Sequence, residues 1–326
     1  MGVYHFMGLG RSVGPVTAAV SYLAARYRRY DATDAEFFAL SGEREQAGKR
    51  GDAQALVLFT TPEVRQAQKD GLCLDYVCNQ LGQKVGPSHS NDPMPRALQT
   101  LLRADLAALA GGRREFDVYW CDVDRSDLGT TFERVARVLF AAKPPDKLGK
   151  EVWVNLTGGS NVVNMALQLA TALSGAPARL YYLQADDIRL ARPALPLVDL
   201  GSLRDRFWVE LPIVYLAFDA AHRQVLETLQ TLSGPVAETE LLARLKQGSS
   251  FSEMDQQALR RELLVPLRGQ QLVLWRDGHV QIGPRWNTFQ RYYQVMAGFT
   301  SGAPETLQDL TRRKAGWFQV ESISLR

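Results

Sequence analysis

The chain has 326 residues, long for one domain and ample for two, and its 46% hydrophobic and 22% charged composition suits a globular protein with a sizeable core. A net charge of only +3 excludes bulk attraction to nucleic acid or a membrane, so any basic patch has to be local. Cys73, Cys78 and Cys121 lack metal-ligand spacing, no apolar run approaches the roughly 20 residues of a membrane span, and Met1 to Leu9 lacks a basic leader, so we expect a cytoplasmic protein without metal or disulfide.

Val3 to Met7 has the character of a short buried strand. It runs into Gly8-Leu-Gly-Arg-Ser-Val-Gly14, then Pro15 and a helical segment from Val16 to Tyr27, with Pro15 placed in the first turn. The spacing G-x-G-x-x-x-G is one residue longer than the dinucleotide fingerprint, and the candidate ribose-binding acids Asp31, Asp34 and Glu36 do not end a second strand. Ser41 to Asp52 is polar and loop-like, and Ala55 to Thr61 is a second buried strand. Lys84 to Pro95 is an irregular connection, Ala97 to Ala110 a helix, Phe116 to Val123 a strand, and Thr130 to Ala142 an amphipathic helix.

The most informative stretch follows. Val152 to Leu156 is an apolar, β-branched run, Thr157-Gly-Gly-Ser-Asn161 is a turn, and from Val162 the apolar period becomes helical. Two glycines let the backbone approach a ligand closely, and the first helical N–H groups lack intrahelical acceptors. With the helix dipole added, such a turn receives a phosphate. The bland alternative is a tight turn with Ser160 capping a helix. Ala178 to Leu183 is a further strand. Alternating strands and helices predict an α/β fold over residues 1–217: a doubly wound, mainly parallel, Rossmann-like sheet with both glycine turns outside the carboxyl ends of its strands.

Regularity breaks after Arg189, and Trp208 to Phe218 closes this first domain. Residues 218–299 predict a winged helix-turn-helix. Its helices span His222 to Leu232, Pro235 to Lys246, and a third segment capped by Ser252 with Asp255 as an imperfect capping box. A hairpin from Leu272 to Ile282 turns on Asp277-Gly278. Arg285 to Phe299 is an aromatic-rich helix suited to a core or a dimer seam, and 300–326 form a tail with no assigned role.

The two glycine motifs together resemble the CARF domain, the CRISPR-associated Rossmann fold of type III CRISPR antiviral defence, over roughly the first two thirds of the chain. Where the family has T-G-G-T-K, this chain has Thr157-Gly158-Gly159-Ser160-Asn161; the lysine is absent, and Arg11 is the cation that could take its place. The resemblance implies a homodimer enclosing a cyclic oligoadenylate on its twofold axis, with no further cofactor. An even-membered ring, tetra- or hexa-adenylate, suits that symmetry. Carried over, the ligand-binding residues are Leu9, Gly10, Arg11, Ser12, Val13 and Gly14, then Thr157, Gly158, Gly159, Ser160, Asn161 and Asn164, with Thr60 and Thr61 at adenine.

Two nuclease effectors common in the family leave no signature: no histidine has an arginine four to six residues upstream, and no Glu-x-Lys occurs. What remains looks like a CARF–winged-helix transcription regulator. Gln256, Gln257, Arg260 and Arg261 are then candidates for the groove of double-stranded DNA, and Arg276 and His279 for its phosphates. Nearly balanced charge, with Glu253 and Asp255 where the third helix would meet DNA, leaves a dimerisation or protein-binding module as the alternative. A third reading is a metal-independent ring nuclease, in which a ribose 2′-hydroxyl attacks its phosphate while Arg11 and Ser12 hold it in line. Neither turn contains a histidine or carboxylate, so that reading lacks a visible general base.

Overall fold

The apolar run after the N-terminus forms β1 (Gly2–Gly8), buried on both faces as a central parallel strand requires. In this computed structural model the described residues are 2–29, 32–40, 51–68, 71–73, 89–143, 150–184, 207–213, 220–232, 234–248, 251–301, 305–313 and 316–325. The expected loop at 41–50, most of the connection before Pro95, Cys78, the break after Arg189 and the stretch 214–219 lie outside them. After β1 come α1 (Gly14–Arg29), α2 (Ala32–Phe38), β2 (Asp52–Thr60), α3 (Pro62–Arg65), the short pair β3 (Leu72–Cys73) and β4 (His89–Ser90), and α4 (Met94–Leu109). They are followed by β5 (Glu115–Asp122), α5 (Leu128–Ala142), β6 (Lys150–Asn155), α6 (Asn161–Ser174), β7 (Arg179–Leu183) and β8 (Trp208–Leu211).

The chain divides into two compact units, Met1–Tyr215 with Phe299–Arg326, and Leu216–Gly298. In the first, the C-terminal residues supply β12 (Phe318–Ser324), and the sheet order is β12-β5-β2-β1-β6-β7-β8. The five inner strands are parallel, while β12 and β8 pair antiparallel at the two ends. This is the doubly wound, mainly parallel α/β sheet expected from the sequence. From β1 the chain winds through β2 to β5 in one direction, then crosses to β6 and winds to β7 in the other. Right-handed crossovers therefore put α1 and α4 on one face and α5 and α6 on the other, and each pair packs together. Trp120, Trp153, Tyr181, Phe6 and Phe132 are fully buried, each contributing on the order of 2 kcal/mol of hydrophobic stabilisation.

The tail carries a role that no local signal announces. Thr306 and Asp309 form a capping box, with the Thr306 N–H donating to Asp309 Oδ2 at 3.0 Å and the Asp309 N–H to Thr306 Oγ1 at 3.2 Å. Glu305 takes a forked pair from Arg137 at 2.9 and 3.2 Å and a further pair from Arg313 at 2.9 Å. β12 then runs along β5 from Phe318 opposite Cys121 to Ser324 opposite Glu115.

The second unit holds α7 (Ala220–Thr231), β9 (Val236–Ala237) and α8 (Glu238–Leu245). A further helix runs in three registers: α9 (Gln256–Ala258), a π-helical turn (Leu259–Leu264) and α10 (Val265–Gly269). Pro266 has no N–H for the Glu262 carbonyl, and its ring crowds that oxygen, which accounts for the widened turn just before it. Two boundaries differ from expectation. Val236 and Ala237 pair with the hairpin instead of opening a helix at Pro235. Asp255, and not Ser252, is the N-cap of α9, its carboxylate accepting the Ala258 N–H at 2.7 Å. Strands β10 (Val273–Arg276) and β11 (His279–Ile282) turn on Asp277 and Gly278 with φ of 50° and 72°, the geometry of an Asn/Asp-Gly hairpin. Val225, Leu229, Leu241, Leu245, Leu259 and Leu263 make the core with Trp286, the first residue of α11 (Trp286–Ser301).

Candidate ligand crevice

In an open doubly wound sheet, ligands sit beyond the carboxyl ends of the strands where the winding reverses. Here the reversal falls between the neighbours β1 and β6. Both glycine turns follow these two strands, so the topology brings 8–14 and 157–161 to one crevice. Their backbones touch. A Cβ on Gly8 would lie 2.4 Å from the Gly158 carbonyl oxygen, and one on Gly158 would lie 2.5 Å from the Gly8 oxygen and 2.7 Å from Pro15 Cβ. Gly159 has φ +87°, in the left-handed region that side chains avoid.

Side chains beneath the crevice brace this contact. Asn155, 1% exposed at the end of β6, accepts the Thr157 N–H on Oδ1 at 2.8 Å and donates Nδ2 to the Pro15 carbonyl at 3.3 Å. It thereby ties one turn to the other. Thr157 Oγ1 accepts the Leu183 N–H at 2.8 Å, fixing the second turn to β7. Thr60 is buried, and its hydroxyl donates to the Leu9 carbonyl at 2.9 Å while the Leu9 N–H donates to Phe59. Its O–H donor thus shapes the first turn. Thr61, half-buried, precedes α3 without a side-chain cap.

Of the remaining sequence-derived residues, Leu9 and Val13 are buried and present only backbone. Gly10 is open, and a Cβ added there would meet nothing within 4 Å; Arg11 and Asn161 are exposed, and Ser12 is half-buried. Ser160 is the N-cap of α6, accepting the Val163 N–H at 3.4 Å. Asn164 carries a buried Oδ1 without a hydrogen-bond partner. Neither α1 nor α6 has an acidic residue in its first turn, so both positive helix ends face the crevice uncompensated. Chemically, the arrangement suits an anion held by backbone amides. Sequence reasoning missed Asn155, although its place just before a glycine turn was a usable signal.

The groove candidates of the second unit fare unevenly. Gln257, Arg261, Arg276 and His279 are exposed; Arg261 pairs with Glu262 at 2.7 Å, and His279 Nδ1 lies 3.0 Å from the Asp277 carbonyl. Half-buried Gln256 and exposed Arg260 both donate to Glu238, at 3.2 and 2.5 Å. Among the described residues no group of three or more His, Cys, Asp or Glu could hold a metal ion, and no helix is long and apolar enough to cross a membrane.

Fold and crevice together define a doubly wound α/β protein whose two glycine turns meet at its switch point. No known protein-family profile matches the chain. It is 28% identical over 250 residues to an uncharacterized protein of Archaeoglobus fulgidus, covering 69% of this chain and 72% of that one. Among solved structures it is similar, at 12% identity and a TM-score of 0.39, to Csm6 of Enterococcus italicus bound to cyclic hexa-2′-fluoro-hexa-dAMP, covering 82% of this chain and 56% of that one. Can2 from Sulfobacillus thermosulfidooxidans in complex with cyclic tetra-adenylate matches at 12% identity and a TM-score of 0.25, over 91% and 64% of the two chains. The chain thus spans less than two thirds of either solved protein.

Proposed function

We propose that the protein is a CARF-type sensor of type III CRISPR defence that binds a cyclic oligoadenylate, tetra- or hexa-adenylate, in the crevice between β1 and β6. The observation that carries this reading is the backbone contact of Gly8 with Gly158 at the switch point. It merges two amide-lined turns into one phosphate-receptive surface with no acid in either first helical turn. The closed nucleotide, as against any other phosphate ester, comes from the likeness of the two turn motifs to that family. Two protomers would face each other across the ligand, so that a ring with even symmetry meets the same turns twice.

For the second unit we infer a winged-helix output that binds double-stranded DNA and regulates transcription. Helix, short strand, two helices and a hairpin follow one another in the order that module uses. Ligand at the crevice would change the affinity of the DNA half-sites, and by linkage DNA would change the affinity of the ligand equally.

The test is competition binding: labelled cyclic tetra-adenylate is displaced by unlabelled ring, by the linear tetramer and by ATP. Displacement by the ring at far lower concentration than by the linear forms is expected; equal displacement overturns the reading. Chromatography of the same samples, without metal, separates a sensor, which leaves the ring intact, from a ring nuclease, which yields linear product ending in a cyclic phosphate.

A further inference from the structure

The second unit contains a buried carboxylate to which that function assigns nothing. Glu238, the first residue of α8, is only 2% exposed. Its Oε2 accepts Arg260 Nε at 2.5 Å and Gln256 Nε2 at 3.2 Å, and its Oε1 accepts the Trp275 indole N–H at 2.6 Å. Burial pushes the Glu238 carboxyl upward, but these donors outweigh it and hold the group below the usual carboxylate range. The three donors come from α9, the π-helical turn and β10, which belong to the third helix and the hairpin that a winged helix lays against DNA.

A buried ion pair is weak support for stability, since a well-packed apolar substitute does as well. What it supplies is orientation. Arg260 spends only Nε on Glu238 in the bonds described, and its side chain stays 48% exposed, which leaves the terminal nitrogens available to a phosphate. Trp275 is pinned through its ring nitrogen on the other carboxylate oxygen. The Arg268 guanidinium lies 5.8 Å from the Trp275 ring centroid. Glu238 thus orients Arg260 and Trp275 together, and Arg268 approaches the same ring, with exposed Arg261 and Arg276 nearby in sequence.

We propose that Glu238 is a positioning residue for a DNA-phosphate site that includes Arg260, Trp275 and Arg268. Gln256 belongs to the brace and does not read a base edge. An arginine already fixed at Nε loses less rotamer freedom on meeting a phosphate, and its planar fork matches the phosphate oxygens. The occupant is the duplex backbone because Arg260 and Arg268 offer two guanidinium forks beside one aromatic ring and Glu238 is buried, while the exposed Glu262 is paired with Arg261 and Glu253 and Asp255 precede the helix. The inference rests on the DNA-binding reading of this unit.

The experiment is fluorescence anisotropy of full-length protein on a labelled duplex of about three helical turns, at several salt concentrations. Simple electrostatics predicts that Glu238→Gln, which deletes a negative charge near phosphate, binds tighter. Positioning predicts the reverse, a loss of roughly five- to tenfold, and Arg268→Ala weakens binding and flattens the salt slope by about one. Should Glu238→Gln fail to melt cooperatively, Arg260→Lys replaces it: charge is kept, the fork is lost, and the same weakening is required. Variants binding as tightly as the natural protein, or tighter, overturn this inference alone. A natural protein that does not bind duplex even at low salt overturns the DNA-binding reading and this inference with it.

Discussion

Gly8 and Gly158 occupy each other's side-chain space: a methyl group on either would sit within 2.5 Å of the other's carbonyl oxygen. Real Cβ atoms do not approach backbone so closely, and backbone cannot step aside as a side-chain tip does. Gly8→Ala and Gly158→Ala should each cost about 1–3 kcal/mol of stability by overpacking and should lower affinity for the ring together. Gly10→Ala, whose added methyl would meet nothing within 4 Å, should leave melting unchanged. Thermal melts of the three variants check this, and equal melting of all three would show that the turns do not touch.

Asn155 joins the turns without meeting solvent. Replacing it by Ala strips the Thr157 N–H of its acceptor and the Pro15 carbonyl of a donor. A loss of roughly 1–3 kcal/mol follows for the orphaned groups. Ring affinity should fall further than stability does, because the two halves of the crevice lose their shared anchor. Denaturant titration beside a binding isotherm separates the two effects.

Much of this is legible locally. Strand, glycine turn and helix are short-range patterns, and two of them in one alternating chain nearly force the crevice. Gly158 against Gly8 is not legible, because sequence shows which residues tolerate close approach but not which partner approaches. Thr60 reads as a ligand contact because it ends a strand at the correct edge, yet tertiary packing turns its hydroxyl under Leu9. Gln256 and Arg260 fall on the outer face of a helical wheel. Their partner, Glu238, lies 18 and 22 residues upstream, and a side-chain pairing at that distance leaves no periodic trace. The strand Phe318–Ser324 alternates only weakly in burial, and its partner β5 lies some two hundred residues earlier.

That last strand gives a third prediction. Ending the chain before Gly316 removes β12 and exposes the edge of β5, together with the loss of the Trp317 carbonyl that accepts the Asp122 N–H at 2.7 Å. An uncovered inner strand is a template for pairing with another chain. The truncated protein should elute as soluble aggregate in size-exclusion chromatography, and a sample matching the full chain in dispersity would show that β12 is dispensable.

His5 gives the fourth. It is buried in β1 against Trp153, at 5.4 Å edge to face, with Nδ1 unpartnered. Burial lowers it to about 3, against the usual value of about 6.5. The folded state therefore keeps the ring neutral where the unfolded chain takes up a proton. Stability from this group is full above about 6.5 and is lost as pH falls toward 3, by up to about 5 kcal/mol. His5→Phe keeps the edge contact and deletes the titration. Its unfolding free energy should fall less steeply between about pH 6.5 and 4 than that of the natural protein; parallel curves would place the proton uptake elsewhere.

In the proposed complex, two amide-lined turns from each of two protomers hold one closed oligoadenylate. Calorimetric titration of the full chain with cyclic tetra- and hexa-adenylate tests it most directly. Saturable binding of one of the two rings at one ring per two chains is expected, strongly weakened in Gly158→Ala protein that still melts cooperatively. No heat with either ring, or one ring per chain with Gly158→Ala unchanged, would contradict it.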